Sequence, residues 1–156
     1  MSFEVLRPGL RGEVRITVGE DDTAQHLGSG AVKVLATPRM VLLMEQAGVE
    51  AVDHLLPEGY RTVGTDVNVQ HLAPTPIGFQ VCASAELVRI EGRRLSFRVE
   101  AHENRLDAVD GEGDLVGEGT HQRAIVNVQR FGERVARKMG MAIEPPDAAK
   151  PGLQGD

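Results

Sequence analysis

The stretch from Pro38 to Leu56 restricts the fold more than any other. It begins with Met40, Val41, Leu42, Leu43 and Met44, an unbroken apolar run. A helix built on such a run has no polar face there, so the rest of the chain must wrap around it. Thr37 stands just before as a capping residue, and Pro38 takes the first helical position, where its missing N–H is harmless. Pro57, Glu58 and Gly59 then stop the helix. The sequence thus predicts one long, central, buried helix.

Alternation governs most of what remains. From Glu13 to Val18, the residues Val14, Ile16 and Val18 fall on one face, the period-two pattern of a half-buried strand. The following DDTAQHLGSG passes from acids to glycines and predicts a short helical turn and a loop. Four longer strands follow, Tyr60 to Leu72, Phe79 to Ile90, Arg94 to Glu103 and Leu115 to Val128. In the third, Leu95, Phe97, Val99 and Ala101 alternate with Arg94, Ser96, Arg98, Glu100 and His102, which calls for an antiparallel sheet with one wet face. Glu91, Gly92 and Arg93 make one turn, and Asp110 to Gly113 a turn-rich connection. A buried helix followed by a long antiparallel meander is an α+β arrangement in which a curved sheet wraps the helix, the hot-dog fold. Residues 1–140 are expected to form this single domain. Residues 141–156, rich in Pro, Gly and Ala, read as a flexible tail.

Composition removes several function classes. With no Trp, one Tyr and four Phe, the chain has almost no platform on which nucleic acid bases stack. Its 17 basic residues against 23 acidic ones give a net charge of -6, opposite to what phosphate neutralisation requires. The lone Cys82 cannot close an intramolecular disulfide, and no Cys/His spacing suggests a zinc site. The first residues lack the apolar core of a signal peptide, and no run reaches the roughly 18 apolar residues of a membrane span. A cytoplasmic protein with no metal, no cofactor, and neither nucleic acid nor membrane as partner is expected.

Glu45 is the most informative polar residue. On a helix its neighbours three and four positions away are Val41, Leu42, Gly48 and Val49, all apolar or small. A carboxylate there needs a hydrogen-bond partner, a raised pKa or a chemical role, and a buried Arg would satisfy it without any catalysis. His71 ends a strand just before the Pro74 and Pro76 loop, where side chains reach pocket mouths. It titrates near neutrality but serves structure as readily as chemistry. Thr37 is already accounted for as a cap, although its hydroxyl also stands at the positive end of the helix.

Taken together, the strings LATPRMVLLMEQAG, GTDVNVQHLAPTP, AELVRIEGRRLSFRVEAHE and GEGTHQRAIV resemble the fluoroacetyl-CoA thioesterase family of hot-dog proteins, over about Leu35 to Arg130. The resemblance implies hydrolysis of a small acyl-CoA in which CoA is part of the substrate. It also implies a catalytic Thr37, Glu45 and His71, a Gly64 near the thioester carbonyl, and Arg123 as a further binding residue. Arg123 either meets a CoA phosphate through its planar fork or pairs structurally with an acid such as Glu118. Glu45 would attack the carbonyl or activate water, His71 would shuttle a proton and the Gly64 N–H would serve the oxyanion. Thr37 would orient the carboxylate or act as nucleophile. The segment before Thr37, HLGSGAVKVLAT, is shorter than the family's lid and has no aromatic residue, so fluoroacetyl specificity is not carried over. A non-catalytic acyl-CoA sensor and a hot-dog enoyl-CoA hydratase are the alternative readings. Edge-to-edge pairing of such sheets implies a homodimer or higher homo-oligomer.

Overall fold

A computed structural model describes residues 3–105 and 113–140. Strand β1 (Arg11–Thr17) leads through a single helical turn, α1 (Ala24–Leu27), to the long helix α2 (Thr37–Val52). Strands β2 (Tyr60–His71), β3 (Gln80–Glu91), β4 (Arg94–Asn104) and β5 (Asp114–Asn127) follow, then helix α3 (Val128–Lys138). All five strands form one antiparallel sheet in the order β1-β3-β4-β5-β2. With α2 packed on its concave face, this is the expected α+β hot-dog architecture.

Three details differ from the expectation. Only β3, β4 and β5 form a meander, because α2 crosses the concave face between β1 and β2 and delivers β2 to the edge opposite β1. Helix α2 begins one residue earlier, at Thr37, and gives way after Val52 to a tighter turn over Asp53–Leu55. Helix α3 is an addition to the elements expected from the sequence. Residues 110–112 of the proposed turn and the 141–156 tail lie outside the described residues. Among those described, no helix is long and apolar enough to cross a membrane.

The core follows from the two periodicities. Met40, Leu43, Met44, Ala47, Ala51 and Val52 of α2 are buried against Val81, Ala83, Ala85 and Leu87 of β3 and Leu95, Phe97, Val99 and Ala101 of β4. The alternation read from β4 is the alternation observed. Helix α2 is not wrapped on every side, however. Leu42 keeps 44% and Val49 37% of its surface exposed, and Val67 on the neighbouring β2 keeps 39%.

At the other edge the helix backbone lies directly on β1. A Cβ at Gly12 would run into the Ala47 carbonyl and the Ala51 nitrogen. Backbone cannot move aside cheaply, so Gly12→Val should lower stability by about 1–3 kcal/mol or more, read as a lower denaturant midpoint. Gly132 in α3 has nothing within 4 Å of such a Cβ. Gly132→Ala should leave stability unchanged or raise it by up to roughly 1 kcal/mol through helix propensity.

Candidate active site

The site residues fall into two groups. The first joins α2 to the end of β2, where Thr37 Oγ1 and His71 Nδ1 are 2.8 Å apart. Thr37 is not the cap it was expected to be. Ala36 occupies the cap position, its carbonyl accepting the Met40 N–H at 3.0 Å, and the Thr37 hydroxyl is thereby left for His71. Burial pushes the His71 pKa down and favours the neutral ring. Its Nε2 is buried with no hydrogen-bond partner among the described residues. Beside the pair opens a cavity of about 290 Å³ whose walls include Ala24, Val34, Leu35, Leu72 and Ala73.

The second group is built around Arg123. Its Nε donates to Thr62 Oγ1 at 2.8 Å, Nη2 to the Thr62 carbonyl at 3.1 Å and Nη1 to His121 Nε2 at 3.1 Å. The His121 Nδ1 lies 2.8 Å from the Asp66 carbonyl, which can only accept, so Nδ1 carries the proton and Nε2 offers its lone pair to the guanidinium. Asp53 completes the set by accepting from both the N–H and the hydroxyl of Thr62. Held in this way, Nη1 stands 3.7 Å from Glu45 Oε2, with the Arg side chain 6% exposed and the Glu side chain 37%. Burial pushes the Arg123 pKa down while Asp53 and Glu45 oppose the shift, and a guanidinium keeps its charge in such surroundings. A buried cation is tolerable only when it is paired and hydrogen-bonded, and here each of the three guanidinium nitrogens meets an acceptor, with the Glu45 carboxylate nearby.

Gly64 makes room for the carboxylate. A Cβ there would lie 2.5 Å from Glu45 Oε2. Thr62 directs its N–H away from β5 toward Asp53, and residues two apart on a strand point their N–H groups the same way. The Gly64 N–H therefore faces the open edge of β2.

Two expectations need correction. Arg123 does not pair with Glu118, which lies on the opposite, exposed face of β5; it points beneath α2, away from solvent, and the acid it pairs with is Glu45, in keeping with the structural alternative read from the sequence. Glu45 is also less enclosed than its apolar neighbours suggested, since Leu42 and Val49 are themselves partly exposed. His121, Thr62 and Asp53 join the site without having been singled out by the sequence. His121 and Arg123 stand two apart on one strand and so share a face, a signal present in the sequence.

Within one chain the two groups stay apart. Thr37 and Glu45 are separated by eight residues of α2, about 12 Å of helix. Gly64 and His71 are separated by seven residues of β2, about 23 Å of strand. No hydrogen bond or ion pair among the described residues links Glu45 to Thr37 or His71.

The sequence profile of the fluoroacetyl-CoA-specific thioesterase family matches residues 18–129, a span that contains both groups. The chain belongs to this family. A curated relative of this thioesterase, the fluoroacetyl-CoA thioesterase of Streptantibioticus cattleyicolor, is 44% identical over 143 residues, covering 85% of this chain and 97% of that protein. A fluoroacetyl-CoA thioesterase solved with acetyl-CoA aligns at a TM-score of 0.73 and 38% identity, covering 85% of this chain and 98% of that one. A thioesterase superfamily member from Thermus thermophilus aligns at 0.75 with 30% identity, covering 85% and 93%. Family membership makes the chain an acyl-CoA thioesterase of the hot-dog class, as its sequence leads one to expect.

Two histidines, the buried His121 and the partly buried His71, give this thioesterase a pH dependence. Burial lowers the pKa of both His71 and His121, for His121 aided by the Arg123 charge. The unfolded chain therefore binds their protons first. Their contribution to stability is complete above the ordinary imidazole value of about 6.5 and is lost as pH falls through it toward the folded values. The denaturant midpoint should be flat above about pH 7 and fall toward pH 5. His121→Gln should flatten that slope, and an unchanged slope would assign the titration to other groups.

Proposed function

We propose that the protein hydrolyses small, uncharged aliphatic acyl-CoA thioesters at a site completed by two copies of the chain. The observation that carries this reading is the separation of Thr37 and His71 from Glu45 and Gly64 within one chain. Among the described residues no strand lies beside the outer edge of the twelve-residue β2, and such a long edge invites pairing. The exposed Leu42, Val49 and Val67 flank it and supply apolar surface for a two-fold contact. Antiparallel pairing of two β2 edges runs the Gly64 half of one strand toward the His71 end of the other. Glu45 of one copy then faces the Thr37–His71 pair of its partner.

The chemistry follows from the atoms. The thioester carbonyl sits against the Gly64 N–H, which stabilises the developing oxyanion. Glu45, held beside Arg123 as a carboxylate, takes a proton from the attacking water. That proton then passes from Glu45 through His71, whose ring is held by the Thr37 hydroxyl, to the departing thiolate, which leaves as the thiol and restores the carboxylate. Apart from His71, the described residues that line the cavity are neither aromatic nor charged, which supports an uncharged acyl group without selection for fluoroacetyl. A CoA-ester substrate together with the single Cys82 supports a cytoplasmic location.

Thiol release from a panel of short, branched and aromatic acyl-CoAs tests the activity. Short aliphatic esters should turn over, and Glu45→Gln should lower kcat by roughly a hundredfold to ten-thousandfold while the protein sediments as a dimer at micromolar concentration. CoA binding without thiol release from any ester contradicts hydrolysis and favours a sensor. A monomeric mass contradicts the shared site.

A further inference from the structure

With Arg123 buried, the anionic end of an acyl-CoA needs other partners. The CoA nucleotide carries a diphosphate and a 3′-phosphate, and a chain of net charge -6 repels such a group unless its cations are gathered locally. They are gathered at one end of the sheet. We propose that the exposed cationic stripe of α3, formed by Arg130, Arg134, Arg137 and Lys138, binds the nucleotide phosphates of the substrate. This assignment rests on the acyl-CoA reading above.

The stripe is built by helical spacing. Positions 130, 134, 137 and 138 recur at the intervals that put side chains on one face of a helix, and all four residues are exposed. Among the described residues none of them forms an ion pair, although Glu133 lies on the same helix. The exposed Arg11, Arg15, Lys33 and Arg89 and the partly buried Arg39 each stand against a carboxylate, on Glu86, Glu13, Glu20, Glu91 and Asp22 in turn, whereas among the described residues the exposed Arg7, Arg93 and Arg98 share the stripe's lack of an ion pair. Phosphate recognition needs cations that are not already neutralised.

Its position suits the substrate. Helix α3 leaves the sheet beside the start of β2, where the Val128 N–H donates to the Gly59 carbonyl at 2.9 Å. Tyr60 is four residues of strand from Gly64, about 13 Å. Helix α3 thus begins beside the half of β2 that carries Gly64, within a few strand residues of the Glu45–Gly64 centre. Two further exposed cations lie at this end of the sheet, Arg61 opposite Val126 and Arg94 opposite Ala124. The other side of α3 carries the exposed Val128, Val135 and Met139, so the helix also has the form of a basic amphipathic membrane-surface segment. Its reach to the catalytic groups favours the nucleotide.

The test compares one acyl group carried on CoA and on pantetheine, which lacks the nucleotide. In a variant with Arg130, Arg134, Arg137 and Lys138 all replaced by Gln, KM for the acyl-CoA should rise about tenfold or more with kcat nearly unchanged, while the acyl-pantetheine values stay at wild type. The single reversal Arg134→Glu should show the same split in smaller measure. In the wild type, added salt should raise KM for the CoA ester alone. Calorimetry with CoA reads the same site without turnover and should show weaker binding in the variant. An unchanged acyl-CoA KM and CoA affinity, equal losses on both substrates, or loss of binding to anionic phospholipid vesicles alone would each overturn the proposal. Absence of hydrolysis of either ester by the wild type, with CoA binding still dependent on the stripe, removes the thioesterase reading and leaves the phosphate site standing.

Discussion

The structure depends on how closely α2 lies on the sheet. At Gly12 the helix backbone occupies the place of a side chain, and at Gly117 the Met40 thioether does. At Gly64 the Glu45 carboxylate fills the space that a Cβ would need. Small residues on the strands, with Ala83 and Ala85 among them, therefore set the height of the helix above the sheet. That height decides that Glu45 meets β2 and the Arg123 guanidinium, and that Thr37 meets His71. Larger residues at these points would lift the helix and separate each pair.

Arg123 is the second determinant. A guanidinium under a helix is costly unless each donor finds an acceptor. Thr62, His121 and, at longer range, Glu45 meet that demand, while Asp53 fixes Thr62. The result is a Glu45 carboxylate set beside a guanidinium that the sheet itself holds in place. Arg123 and His121 are buried at this point, and the hydrogen bonds they share tie β5 to β2 beside Glu45.

Local signals are legible in the sequence, and relations across the sheet are not. The alternation in Leu95 to Ala101 fixes which face of β4 is buried, because side-chain direction in a strand is a property of neighbouring residues. The apolar run after Pro38 likewise marks α2. Nothing local states that β2 pairs with β5 and not with β3, since that follows from the path of α2 across the sheet. Family resemblance suggests the proximity of Thr37, Glu45 and His71 to one another, yet the fold of one chain pairs Thr37 with His71 and leaves Glu45 with Gly64 and Arg123. The sequence leaves Arg123 open between a phosphate contact and a structural pair with an acid, because its burial arises from Thr62 and His121, each distant from the other along the chain. Helix α3 does leave a local signal, since the apolar and basic residues of VQRFGERVARK alternate at helical spacing, but it directly follows a strand pattern that runs into it.

The central claim is that one catalytic site draws residues from two copies of the chain, and mixing two inactive variants tests it most directly. Glu45→Gln and His71→Ala proteins, each folded and each inactive alone, are combined under conditions that exchange subunits, and thiol release is followed. A shared site predicts that activity returns, because each mixed dimer holds one centre with both residues intact. If the mixed dimers form and remain as inactive as either parent, the site lies within a single chain and the account is wrong.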